Sequence, residues 1–272
     1  MPIPASLRAE LGIADEAPAT GGCIHQCYRV RIGSESRFLK LNAVSHADAF
    51  AAEADGLKAL RSARMRAPAP LLHGALGDHA FLVLEYLELR ETGDFAALGR
   101  MLARGHRQSG PAFGWPRDNY IGSTPQRNGW KESWSEFWWE RRLRPQLALA
   151  KRNGFDLEVD LDATVLADRS PTPCLLHGDL WRGNAGFTPG GPVVFDPAVY
   201  YGDREADLAM TELFGGFPPE FYRAYQEAFA LDEGYERRKP LYNLYHLLNH
   251  LNLFGGGYLA QVKATLGLLL RR

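Results

Sequence analysis

Apolar positions repeat with a period of two in the first third of the chain and with a helical period over most of the rest. The first ninety or so residues read as strands around one helix. Gln26–Ile32 alternates, with Tyr28, Val30 and Ile32 on one face, and Gly33–Ser36 predicts a turn. Arg37–Leu41 is the returning strand, with Phe38 and Lys40 on one face and Leu39 and Leu41 on the other. The period then lengthens. Ser45 is placed to cap a helix with Asp48 in its first turn, and Phe50, Leu57 and Leu60 form its apolar stripe. Glu53 falls on that stripe. A carboxylate facing a core needs a partner, because breaking a buried pair costs on the order of 3–5 kcal/mol. Lys40, upstream on its strand, is the nearest candidate. Phe81–Leu84 reads as a buried strand, and the polar run Glu85–Glu88 suits a hinge between lobes, where by analogy of position the backbone of Glu85 to Leu87 is the expected contact for a nucleotide base.

Past the hinge the pattern predicts helices over Phe95–Gln108 and Glu132–Lys151, separated by a Gly/Pro-rich loop at Gly110–Gln126. Trp134, Trp138 and Leu143 fall near one side of the second helix and read as core. Cys174–Leu176 is a short buried strand. Thr188–Gly191 is a hairpin turn between Ala185–Phe187 and Val193–Phe195, which returns Asp196 to the neighbourhood of Asn184. Asp207 opens a further helix, and the C-terminal third predicts helices around 220–230, 240–254 and 258–270. On the second of these, Asn243, His246 and His250 form a polar face opposite Leu244, Leu248 and Leu251. That face either lines a pocket or carries buried hydrogen bonds. The expected class is α+β, a bilobal fold with a small antiparallel-sheet N-lobe (residues 1–87) and a larger, mainly helical C-lobe (88–272).

The chemistry concentrates in one stretch. His177–Asn184 reads H-G-D-L-W-R-G-N, and Phe195–Pro197 reads F-D-P. Phosphoryl transfer from ATP needs a carboxylate to receive the proton of the attacking hydroxyl, with an Asn and a second Asp to hold magnesium. Asp179, Asn184 and Asp196 supply those types at the required offsets. A strand Lys paired with a helix Glu is how kinases aim an ammonium at the α/β-phosphates, which gives Lys40 and Glu53 their expected roles. Gly21 and Gly22 let the backbone approach the phosphates. His177 is expected to brace the loop and Asp207 to fix its backbone. Trp181, two residues past the base, offers an indole face to a sugar ring or an amine cation.

Composition narrows the partners. A formal net charge of -1 leaves no electrostatic footprint for nucleic acid. The Arg clusters at Arg100–Arg107 and Arg141–Arg144 read as solvated helix faces. No apolar stretch reaches the length of a membrane span, and the N-terminal residues lack a hydrophobic signal core. Cys23, Cys27 and Cys174 form no metal-ligand spacing and fit a reducing cytoplasm. Cys23, beside the glycines, is a candidate redox switch on ATP binding or chain linkage.

The motifs together resemble the fructosamine kinase (ketosamine-3-kinase) family of the protein-kinase-like superfamily. The resemblance rests on Gly21–Cys23, Phe38–Lys40, Glu53, F-G-W-x-x-D-N-Y-I-G at Phe113–Gly122, the His177–Asn184 octapeptide, Phe195–Met210 and Leu247–Gly255. It implies an ATP- and Mg²⁺-dependent enzyme that phosphorylates a sugar hydroxyl, typically O3, of small-molecule or protein-bound ketosamines. The unstable 3-phosphate then releases the sugar and frees the amine. Trp181 and His250 are the expected substrate contacts, and the protein is expected as a monomer or weak dimer. Arg182 departs from the small residue more usual at that position and would shift substrate preference if it faced the pocket. The runners-up are an aminoglycoside- or choline-type phosphotransferase, which lacks the Trp181 motif, and a nucleotide-binding module without catalysis.

Overall fold

The computed structural model describes residues 2–19 and 24–269. In chain order the elements begin with α1 (Ala5–Leu11), β1 (Ile13–Pro18), β2 (Gln26–Ile32), β3 (Glu35–Ala43), α2 (Ala47–Ser62), β4 (Pro70–Leu76) and β5 (His79–Glu85). These strands form one antiparallel sheet in the order β1-β2-β3-β5-β4. Alternation along β3 gives each face its own task. Leu39 and Leu41 join Leu7 and Leu11 of α1, Tyr28, Val30 and Phe81 in a core on the outer face. Phe38 packs inward against a second core, where Phe50, Leu57 and Leu60 of α2 meet Leu82 and Leu84 of β5.

The chain continues through α3 (Phe95–Gly105), β6 (Asn119–Ile121), β7 (Thr124–Gln126), α4 (Trp134–Phe137), a π-helical stretch over Trp138–Leu143, and α5 (Arg144–Arg152). Then come β8 (Cys174–Leu176), β9 (Ala185–Thr188), β10 (Gly191–Val194), β11 (Tyr200–Gly202), α6 (Arg204–Leu213), α7 (Pro219–Ala228), α8 (Tyr235–Phe254) and α9 (Leu259–Leu269). A third core joins Trp134, Trp138 and Tyr200 to Leu244, Leu248 and Leu251 of α8. The same cluster includes Leu98 and Leu102 of α3, Leu180 and Phe221, so one apolar core ties the sheet lobe to the helical lobe.

Two small ladders position the chemistry. β8 pairs with β11, Leu176 opposite Tyr200. β9 pairs with β10, Ala185 opposite Val194. The 177–184 loop therefore leaves the end of β8 and runs into β9, and the 195–199 segment joins β10 to β11 directly beside it.

Several expectations need correction. Ser45 does not cap α2: Val44 N–H bonds Asp78 O at 2.8 Å, a 3₁₀ turn over Val44–His46 follows, and the helix starts two residues later with His46 at the cap position and no capping side chain. The sheet lobe holds a second, seven-residue helix, α1, too short for its two buried leucines to display a period. The Gly110–Gln126 region is not all loop, because β6 and β7 form a hairpin there. Arg142 is not solvated: it is 0% exposed, its guanidinium 3.9 Å above the Tyr200 ring and 4.6 Å from Phe137. Arg142 lies four residues after Trp138 and so shares its buried face, where aromatic rings and carbonyl oxygens take the place of water around the guanidinium. Arg182 does not face the pocket; it is exposed, and its guanidinium lies 5.7 Å from the Phe95 ring.

Candidate active site

Lys40 is 4% exposed, an ammonium held almost entirely out of water. Its Nζ bonds Glu53 Oε1 at 2.7 Å and Asp196 Oδ1 at 2.5 Å. Burial opposes its charge, but Asp196 and Glu53 outweigh that cost and raise its pKa above the usual lysine value. The sequence pairing of Lys40 with Glu53 is thus formed, and Asp196 joins it from the other lobe. Asp196 is in the left-handed region at φ 55, a conformation unusual outside glycine that aims its carboxylate back at the ammonium.

The loop before it is tied down from beneath. Asp207 accepts from His177 N at 2.7 Å and Gly178 N at 2.8 Å, and its Oδ2 lies 3.1 Å from His106 Nε2. Burial would raise the Asp207 pKa, but these partners hold it below the ordinary carboxylate value. His177 Nε2 donates to Phe195 O at 3.0 Å, and its Nδ1 accepts from Asp179 N at 3.3 Å. Burial lowers the His177 pKa, and the two ring contacts make the imidazole a brace between the two loops.

Asp179 comes out of this brace with its Oδ1 buried and without a hydrogen-bond partner among the described residues. Asn184 Nδ2 donates to Asp179 O at 2.8 Å and to Oδ2 at 3.3 Å. That commits the amide nitrogen and leaves the amide oxygen for another ligand. Burial, then the charges of Asp196 and Asp207, push the Asp179 pKa up to about 7, with Asn184 pulling the other way. His246 Nδ1 is 4.0 Å from Asp179 Oδ1, and burial pushes its pKa down to about 3.

Lys40, Glu53, Asp179, Asn184 and Asp196 all line one cleft of about 300 Å³ between the lobes. Trp181 and His250 line the same cleft. The His250 ring lies 4.5 Å from Phe214, and Trp181 meets Phe214 edge-on at 6.2 Å. Glu85 and Leu87 do not line it. Glu85 ends β5 with its N–H on Ala69 O at 2.9 Å. Gly21, Gly22 and Cys23 lie outside the described residues.

The cleft also holds residues not anticipated as site residues, among them His25, Asn119, Tyr120 and Phe254. Burial and the Lys40 charge push the His25 pKa down to about 4, which keeps it uncharged beside the ammonium. Asn119 and Tyr120 belong to the D-N-Y-I-G part of the Phe113–Gly122 motif, the one signal that pointed to them.

Among the described residues no group of three or more His, Cys, Asp and Glu side chains converges on a metal position. Among the oxygen-bearing groups that line the cleft, Asp196 offers a carboxylate and Asn184 an amide oxygen that its Nδ2 contacts to Asp179 leave free. That set fits Mg²⁺, which binds through one or two protein oxygens and takes the rest from phosphates and water.

A five-stranded sheet over a helical lobe, a Lys–Glu pair joined by a loop Asp, and a hydrogen-bonded Asp–Asn pair in the cleft define a phosphotransferase of the protein-kinase-like class. A thermostable aminoglycoside phosphotransferase in ternary complex with ADP and hygromycin B shares this fold with a TM-score of 0.61, over 98% of this chain and 97% of its own, at 16% identity. A candidate fructosamine-3-kinase from Haemophilus somnus is far more similar, with a TM-score of 0.90 and 30% identity over 98% of this chain and 96% of its own. A protein of Synechocystis named a probable ketoamine kinase is 48% identical over 95% of this chain and 91% of its own length. The family model described as fructosamine kinase matches residues 3–272. The chain belongs to the fructosamine kinase family, and it is an ATP-dependent phosphotransferase with an alcohol group as acceptor.

Proposed function

We propose that the enzyme phosphorylates O3 of ketosamines, ribulosamine and fructosamine adducts among them, and so serves in deglycation. The single observation that carries the reading is the Lys40 ammonium held by Glu53 and Asp196 in the same cleft as the half-buried carboxylate of Asp179.

Asp179 takes the proton as the sugar hydroxyl oxygen bonds to the γ-phosphorus and the bond to the ADP oxygen breaks. Its raised pKa suits a base that works near neutral pH. Lys40 grips the α/β-phosphates, and Glu53 aims it. Asn184 and Asp196 would hold Mg²⁺, which when bound neutralises charge on the phosphates. Gly21 and Gly22 supply backbone to the phosphates. Because the Glu85 N–H is committed to Ala69 O, the adenine edge is assigned to the Glu85 carbonyl and the Leu87 N–H. Trp181 and His250 meet the sugar. Glu53, Asp179 and Asp196 outnumber the Lys40 cation among the lining charges, which favours an acceptor carrying a protonated amine.

ATP consumption over a panel of ribulosamines, erythrulosamines, fructosamines, aminoglycosides and choline tests this reading, with Asp179→Asn as the control. Turnover with ketosamines and a 3-phosphate product are expected. Turnover with an aminoglycoside and with no ketosamine overturns it.

A further inference from the structure

The segment after Asp196 has no strand partner until Tyr200, yet two of its buried carbonyls are satisfied. Asn119 Nδ2 donates to Val199 O at 2.7 Å, and Gln126 Nε2 donates to Ala198 O at 3.0 Å. Both amides sit on the β6–β7 hairpin and both are buried. They belong to a longer chain of hydrogen bonds with one direction. Arg142 donates to Asn128 Oδ1 at 2.7 Å, and Asn128 Nδ2 donates to Asn119 Oδ1 at 2.8 Å. Gln126 Nε2 also donates to Asn119 Oδ1 at 2.9 Å, while its Oε1 accepts from Tyr245 at 2.7 Å.

The head of this chain is a buried guanidinium that makes no ion pair with a carboxylate among the described residues. A cation can face only the oxygen end of an amide. Arg142 therefore orients Asn128, Asn128 orients Asn119, and the NH₂ end of Asn119 is left for the Val199 carbonyl. On the opposite side α2 closes the segment: a Cβ on Gly56 would lie 3.2 Å from Pro197 Cγ and 3.3 Å from Val199 Cγ2. The same hairpin region grips α2 directly, with Arg117 on Asp48 Oδ1 at 2.5 Å and Tyr120 on Asp48 Oδ2 at 3.2 Å. A non-glycine residue at positive φ persists only where its surroundings over-determine it. Asp196, two residues before Ala198, is such a residue.

We propose that Asn119 and Gln126, oriented by the buried Arg142, are positioning residues that hold the 196–199 segment so that the Asp196 carboxylate is presented to the metal and to Lys40. The proposal rests on the reading of Asp196 as a magnesium ligand given above.

The test measures binding of a non-hydrolysable ATP analogue by calorimetry over a magnesium series and without magnesium, together with the ligand-free Tm. Asn119→Asp turns the donor on Val199 O into a repelling oxygen, and Asn119→Ala removes it without repulsion. In both, the magnesium concentration for half-maximal tightening is expected to rise roughly tenfold, the scale of one lost buried hydrogen bond, and metal-free affinity is expected to fall by a smaller factor. Should the Asn119 variants not fold, Gln126→Met, which removes the contact to Ala198 O, carries the same readout. A lowered Tm with an unchanged magnesium requirement reduces the network to a structural one and overturns the proposal, as does no change in either. Wild-type protein whose nucleotide affinity ignores magnesium refutes the metal reading itself, a separate outcome.

Discussion

A Cβ on Gly178 would lie 2.0 Å from the carbonyl oxygen of Ala198. The general kinase pattern has Arg at this position, and here no side chain fits, because Ala198 N bonds His177 O at 2.8 Å and brings the two loops into contact. Gly178 also has φ 82, in the left-handed region. Gly178→Ala is expected to separate the 177–184 loop from the 195–199 segment and to lower stability by about 3 kcal/mol or more. Urea denaturation of the variant against wild type checks this; a midpoint unchanged from wild type contradicts the packing described.

Lys40 and Glu53 behave as a unit. Lys40→Met leaves the Glu53 carboxylate buried beside Asp196 with no cation, at an expected cost on the order of 3–5 kcal/mol. The double variant Lys40→Met/Glu53→Gln is expected to recover part of that stability and none of the activity. A double-mutant cycle by chemical denaturation with parallel ATPase assays separates the structural from the functional share.

Asp179 links activity to pH. With its pKa near 7 in the nucleotide-free protein, the carboxylate ionises as pH rises through neutrality, so kcat/KM is expected to climb between pH 6 and 8. Stability runs the opposite way. A carboxyl whose folded pKa is raised above its unfolded value binds more protons when folded, so its contribution is present below the unfolded pKa and is lost as pH rises to about 7. Asp179→Asn is expected to lower kcat roughly 10²- to 10⁴-fold. It is also expected to raise the metal-free Tm relative to wild type at pH 8 more than at pH 4. Paired pH–rate and pH–Tm profiles check both signs.

Trp181 and His250 line the cleft, and each packs on Phe214. Trp181→Ala is expected to raise KM for a ketosamine about tenfold, within the range of an aromatic contact to a cation or ring, with little change in KM for ATP. Steady-state kinetics with each substrate varied in turn decides it; equal effects on both KM values would assign Trp181 to general packing.

Much of this arrangement was legible because it rests on short-range patterns. The α2 stripe through Phe50, Leu57 and Leu60 placed Glu53 inward, and alternation on β3 put Lys40 on the face toward it. The turn residues at 188–191 predicted the β9–β10 hairpin, which ends one residue before Phe195 and Asp196. The hairpin of β6 and β7 escaped because strands of three residues are too short to show alternation. The burial of Arg142 is not legible because a charged residue reads as solvated, and the aromatic rings that take it in, such as Tyr200, come from distant parts of the chain.

The sequence alone determined which residue types carry the chemistry and which face of each element they occupy, since both follow from spacing along one strand or helix. Only the tertiary structure decided that Asp196 reaches Lys40 from the other lobe, that Asp207 holds the 177–184 loop by two backbone N–H groups, and that a buried arginine orients the amides behind the 196–199 segment. Those contacts join residues from 14 to 156 positions apart, and their geometry is set by how the cores of the lobes pack, a long-range quantity that no local period encodes.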